Sequence, residues 1–172
     1  MIVQSNDPYY GKDKAGMVYH KMHDHKWTGL AVHAWDYADT WGTIRIVKPP
    51  TTAATLNVAA TAAQAARLWK GLDDEFAAEC LENAKLTYEA AKANPDVFAP
   101  LDQAIGGGAY GDDYVGDDFY WAACELYATT GDKTYHTDLK AYVNPDGHSN
   151  DRAFCITPTL ASGENIDSKT TF

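Results

Sequence analysis

Four carboxylates fall within a short stretch of this chain: Asp112, Asp113, Asp117 and Asp118, preceded by Tyr110 and Gly111. Side chains of one sign this close repel each other unless a proton or a cation intervenes. Hard oxygen donors on a glycine-rich loop suit calcium, although the EF-hand pattern D-x-[DN]-x-[DN]-G is missing. Paired carboxylates can also act as general acid and general base across a glycosidic bond. A solvated acidic loop whose last Asp caps a helix accounts for the same residues without any chemistry.

A second constellation is His20-Lys21-Met22-His23-Asp24-His25-Lys26-Trp27. His20, His23 and His25 are of the type that holds a transition metal. Their spacing matches no zinc signature such as H-E-x-x-H, and a polar loop rim is the plainer reading. His25 with Trp27 suits a sugar: indole offers a flat apolar face, and imidazole offers directed hydrogen bonds. The run Gly106-Gly107-Gly108 follows no strand and precedes no P-loop lysine, so it reads as a flexible loop rather than a nucleotide cradle. No G-x-S-x-G elbow is present.

These groups need a scaffold, and the chain can supply one. Its 172 residues suffice for one domain with its own core. A net charge of -10 disfavours a phosphate-tracking nucleic-acid binder. No apolar run approaches the ~20 residues that span a bilayer, and the polar start does not read as a signal peptide. Cys80, Cys124 and Cys155 are scattered and odd in number, against a disulfide framework; Cys80 and Cys124 lie in apolar helical patterns and read as buried, inert thiols.

The Ala-rich stretch Ala53 to Lys70 predicts a helix capped by Thr51 or Thr52 and closed by Gly71. Val58, Ala62, Ala65 and Trp69 share one face, and Leu56, Ala60 and Ala63 a second, so the helix reads as buried between neighbours. A second helix starts at Asp73 or Asp74, presents Phe76, Cys80, Ala84, Thr87 and Ala91, and stops at Asn94-Pro95. The short link makes the two an αα-hairpin. A long loop from Val97 to Gly116 precedes a third helix, from Asp117 to Gly131. A fourth carries Tyr135, Leu139 and Tyr142. Thr43 to Val47 reads as a short extended piece, and the periodicity ends at Gly147.

Three stretches together resemble the family 9 glycoside hydrolases, cellulases of the endoglucanase and cellobiohydrolase branch. They are Ala15 to Gly29 (A-G-M-V-Y-H-K-M-H-D-H-K-W-T-G), Pro49 to Trp69 (P-P-T-T-A-A-T-L-N-V-A-A-T-A-A-Q-A-A-R-L-W) and Asp117 to Asp132 (D-D-F-Y-W-A-A-C-E-L-Y-A-T-T-G-D). The resemblance implies an all-α fold of antiparallel helical hairpins forming part of an (α/α)6 barrel. It implies an extracellular enzyme hydrolysing β-1,4-glucan, that is, cellulose or cello-oligosaccharides. The family's catalytic D-A-G-D motif is missing, and the one late glutamate, Glu164, stands in a tail unlike the family's acid-bearing segment. Residues 1–147 therefore read as part of a catalytic domain, and 148–172 as a poorly patterned tail.

Carried over residue by residue, His25 and Trp27 match a cleft-lining His-Lys-Trp stretch, and Tyr110 matches a cleft aromatic. Asp117 and Asp118 match an acidic pair that binds calcium in some members, with Asp113 as a further oxygen ligand. If the chain hydrolyses glucan by itself, Asp112 and Asp113, with Asp118 near them, are the carboxylates at hand. Two alternatives stand beside this: a non-catalytic glucan-binding module, and a helical domain that self-associates through exposed apolar faces.

Overall fold

A computed structural model describes residues 1–25, 33, 35, 45–99, 107 and 114–142. Helices dominate it: α1 (Gly11–Lys14), α2 (Thr52–Trp69), α3 (Asp74–Ala93), α4 (Gly116–Thr130) and α5 (Lys133–Ala141). Two short antiparallel strand pairs accompany them. β1 (Val18–Tyr19) pairs with β4 (Pro50–Thr51), and β2 (Met22–Asp24) pairs with β3 (Arg45–Val47). Of the extended piece expected from Thr43 to Val47, the described part, Arg45–Val47, is β3.

Helix α2 is the hub. Alanine supplies helix propensity and lets neighbouring backbones approach closely. Leu56, Ala59, Ala60 and Ala63 are fully buried, and with Tyr88, Phe119, Tyr120, Leu126 and Leu139 they form one core shared by α2 to α5. Of the two faces expected on α2, the Leu56–Ala60–Ala63 row is this core face. Val58, Ala62 and Ala65 are only half-buried and Trp69 is exposed, because α3 and α4 cover the helix from one side and leave the other open.

The helix ends follow local chemistry. The Thr51 hydroxyl accepts from the Ala54 N–H at 3.3 Å and caps α2; the Asp73 carboxylate accepts from the Phe76 N–H at 3.0 Å and caps α3. Between them Gly71 takes φ +81°, a left-handed conformation that costs glycine little. This closes the expected hairpin, and the exposed residues Leu68, Trp69, Leu72 and Phe76 gather around its turn. Trp69 and Phe76 meet edge to face at 5.4 Å. Helix α4 departs from expectation. Its N-cap is Val115, which provides no side-chain hydrogen bond, and Asp117 and Asp118 lie in the first turn rather than at the cap.

Buried threonines tie the strands to α2. Thr55 donates to the Thr51 carbonyl at 2.6 Å and accepts from the Val18 N–H at 2.9 Å. Thr52 donates to the Asn94 carbonyl and accepts from the Val97 N–H, joining the start of α2 to the end of α3. Each hydroxyl thus meets the requirement that a buried polar group be paired.

Candidate functional site

The histidine stretch is β2 and its flanks. Pairing with β3 sets Met22 opposite Val47, His23 opposite Ile46 and Asp24 opposite Arg45; the Asp24 and Arg45 charges lie 3.7 Å apart. His20 precedes the strand, its Nδ1 sharing a 3.0 Å hydrogen bond with Thr51 Oγ1. His23 Nδ1 donates to the Asp24 carbonyl at 2.8 Å. His25 is exposed just past the strand. His20 and His23 thus bond to different partners rather than to each other. Among the described residues no three His, Cys, Asp or Glu side chains gather as a metal site.

His20 and Asp118, nearly a hundred residues apart in sequence, meet at one groove. Val18, Tyr19, His20, Ala53, Ala54, Asn57, Val58 and Asp118 line this open depression of 370 Å³. The starts of α2 and α4 flank it, and β1 with His20 crosses it. Small apolar residues (Ala53, Ala54, Val18, Val58) and polar ones (Tyr19, His20, Asn57, Asp118) both line it. Asp117 and Asp118 are both half-buried. Trp27, Tyr110, Asp112 and Asp113, together with Cys155, Glu164 and the segment after residue 142, lie outside the described residues.

Three arrangements escaped sequence reasoning. Tyr19 donates its hydroxyl to Asp7 Oδ2 at 2.5 Å, while Asp7 Oδ1 accepts from the N–H groups of Tyr9 and Tyr10. The carboxylate beside it pushes the Tyr19 phenol up to about 12, and the same bond, followed by the two N–H groups, lowers Asp7. Asn57 reaches the groove from the second turn of α2. Glu125 is buried inside α4 and pairs with Arg67 of α2 at 2.9 Å. Arg67 also donates to Thr129, which donates to the Ala63 carbonyl. Burial raises the Glu125 carboxyl, with Arg67 pulling against it. A glutamate inside the apolar run Ala122-Ala123-Cys124-Glu125-Leu126 is the signal that could have found it.

Comparison with known proteins gives one answer. The model of glycosyl hydrolase family 9 matches residues 5–169. The chain is 53% identical over 141 residues to a cellulose 1,4-beta-cellobiosidase of Acetivibrio thermocellus, covering 80% of this chain and 15% of that protein. Against endoglucanase C of Cellulomonas fimi it is 48% identical over 124 residues, covering 72% of this chain and 11% of that one. It therefore spans well under a quarter of the length of either relative. A solved Bacteroides ovatus GH9 structure superposes with TM-score 0.66 at 28% identity, covering 75% of this chain and 24% of its own. A GH family 9 endoglucanase structure gives 0.70 at 26%, covering 85% and 26%. These neighbours are (α/α)6-barrel enzymes, and helices α2 to α5 form part of such an assembly. This chain belongs to glycosyl hydrolase family 9.

Proposed function

We propose that the chain is part of a β-1,4-glucan hydrolase and contributes one wall of its glucan cleft. The observation that carries this is the 53% identity to a cellulose 1,4-beta-cellobiosidase over 80% of the chain. His25, Trp27 and Tyr110 are the substrate-contacting residues of this reading, with the aromatic rings under sugar C–H faces. In the inverting mechanism one carboxylate activates water and another protonates the leaving oxygen, the pair standing roughly 6.5–9.5 Å apart. The sequence holds no D-A-G-D, so Asp112 and Asp113 take those roles if the chain turns over glucan alone. On this reading the enzyme works outside the cell, where its polymer is. Among the described residues no helix is long and apolar enough to cross a membrane.

Calcium is the ion this reading implies. The donors fit it: Asp117 and Asp118 bring hard carboxylate oxygens into the first turn of α4, and Asp118 borders an open groove that admits an ion. With Asp113 they would tie the preceding loop to that helix.

The test is release of reducing sugar from carboxymethylcellulose, together with binding of cello-oligosaccharides. Turnover lost in Asp112→Asn/Asp113→Asn supports the catalytic assignment, and unchanged turnover removes it. Binding without turnover selects the accessory-module alternative. Exposed Leu68, Trp69, Leu72 and Phe76 at the α2–α3 turn favour one further reading, self-association through apolar helix surface. Light scattering on the eluted protein decides it, since a clean monomer excludes it.

A further inference from the structure

A separate pocket of 240 Å³ lies where the ends of α3 and α5 meet the start of α4. We infer that it binds a small phenol, one aromatic ring carrying a hydroxyl, at the first turn of α4. The inference does not depend on the glucan reading. Asp118 of that turn lines the groove described above, whereas Gly116 and Phe119 line this pocket.

Size comes first. The pocket is larger than the ~150 Å³ cavity that holds benzene and smaller than the ~300 Å³ at which drug-sized sites begin, which leaves room for one substituted ring. The lining favours an aromatic one. Phe98, Tyr114, Phe119 and Tyr142 contribute rings, with Pro95 beside them, and aromatic rings pair with one another in stacked and edge-to-face arrangements. Phe119 and Tyr142 already do so, parallel to within 4° and with centroids 4.8 Å apart. A saturated sugar ring needs many directed donors and acceptors, and this lining supplies few.

The walls are held before any ligand arrives. Thr52 donates its hydroxyl to the Asn94 carbonyl at 2.6 Å and accepts from the Val97 N–H at 3.0 Å. Its own N–H donates to the Val97 carbonyl at 2.9 Å. These bonds pin the segment that carries Pro95, Asp96 and Phe98 to the start of α2. Tyr114 packs on Gly116 so closely that a β-carbon there would run into its phenol ring. Groups already in place lose little freedom on binding.

Two features select the hydroxyl. Asp96 is the one formally charged side chain among the lining residues; its carboxylate accepts from a donor and repels an anion. The start of α4 receives no side-chain cap from Val115, and the N–H groups of a helix start take an oxygen acceptor. A phenol hydroxyl donates to the first and accepts from the second, which an ammonium cannot do.

The experiment is a titration of the full chain with p-cresol, followed by amide NMR and calorimetry. Saturable shifts are expected at the Phe98, Val115, Gly116, Phe119 and Tyr142 amides, with toluene, which lacks the hydroxyl, bound about tenfold more weakly. Asp96 and Phe98 are exposed, so Asp96→Ala and Phe98→Ala leave the fold intact. Asp96→Ala is expected to weaken p-cresol about tenfold and to leave toluene unchanged, a split that a merely structural role would not produce. Phe98→Ala weakens both. The absence of saturable shifts at those amides overturns the inference. Toluene bound as tightly as p-cresol, with Asp96→Ala without effect, overturns it too, since apolar volume alone would then explain the pocket. Tighter binding of benzyltrimethylammonium would mark a cation cage. Tighter binding of N-acetyltyrosinamide would mark a tyrosine of a protein partner as the occupant. Shifts of the same amides by cellotetraose would join the pocket to the glucan cleft. Each of these three results overturns the assignment to a free phenol.

Discussion

Gly107 lies against the imidazole of His23, so close that a β-carbon on it would stand 2.9 Å from both His23 Cβ and Cγ. Gly107 therefore meets β2 at a point where only hydrogen fits. Gly107→Ala must move either that backbone or the strand. The expected cost is about 1–3 kcal/mol, read as a fall in unfolding temperature, with His23 resonances displaced. A variant as stable as the parent would show that the contact yields freely.

Arg67 and Glu125 carry the second prediction. Glu125 has 1% side-chain exposure and Arg67 27%, so Arg67→Met leaves a carboxylate stranded in the core, at about 3–5 kcal/mol near neutral pH. The pH dependence has a definite sign. Burial raises the Glu125 carboxyl in the folded protein, and losing Arg67 raises it further. Folding then favours the protonated form, and that contribution disappears as pH rises through the raised value. The deficit of Arg67→Met relative to the parent should widen as pH rises from the ordinary carboxylate range through the raised Glu125 value. Melting curves across that range check it; a constant deficit would contradict it.

Asp7 and Tyr19 give a spectroscopic test. The Tyr19 phenol is pushed up to about 12 because its proton is held by a carboxylate. In Asp7→Asn the neighbouring charge is gone, and one tyrosine should titrate closer to the ordinary value of about 10, seen in phenolate absorbance. For Asp7 the sign is opposite. Its folded carboxyl is lowered, so its help to the N-terminal segment is present at neutral pH and lost as pH falls through that lowered value.

The cysteines should be slow to react. Burial pushes the Cys124 thiol up to about 12 and also raises Cys80, and the thiolate is the nucleophile. Iodoacetamide should leave both unmodified in the folded protein near pH 8 and modify both in denaturant. Mass spectrometry of the peptides reads the result, and rapid native labelling of Cys124 would contradict the packing described.

Much of this architecture was legible because its determinants are local. Thr51, Gly71, Asp73, Asn94 and Gly131 mark helix ends through chemistry confined to a few neighbours. Which face of α2 becomes core was not legible, since both rows are apolar and the choice depends on where α3 and α4 pack. The strand pairs were hidden for a related reason. Val18 pairs with Thr51 across 33 positions, and strands of two or three residues leave too few side chains to show alternation. At the site, His20 and Asp118 each stood out within its own stretch, the histidine run and the acidic run, with nothing to join them. Their shared groove is a product of the helix packing, and no spacing in the sequence encodes it.

Thr51 draws these levels together in one atom. Its hydroxyl oxygen serves both as the cap of α2 and as the partner of the His20 imidazole, within a side chain that is 1% exposed. Position 51 therefore has a very small vocabulary. Serine preserves both duties; valine, nearly the same shape, deletes both at once. Drift at this position would remove a helix start and a groove wall together, so scaffold and site here cannot be tuned independently.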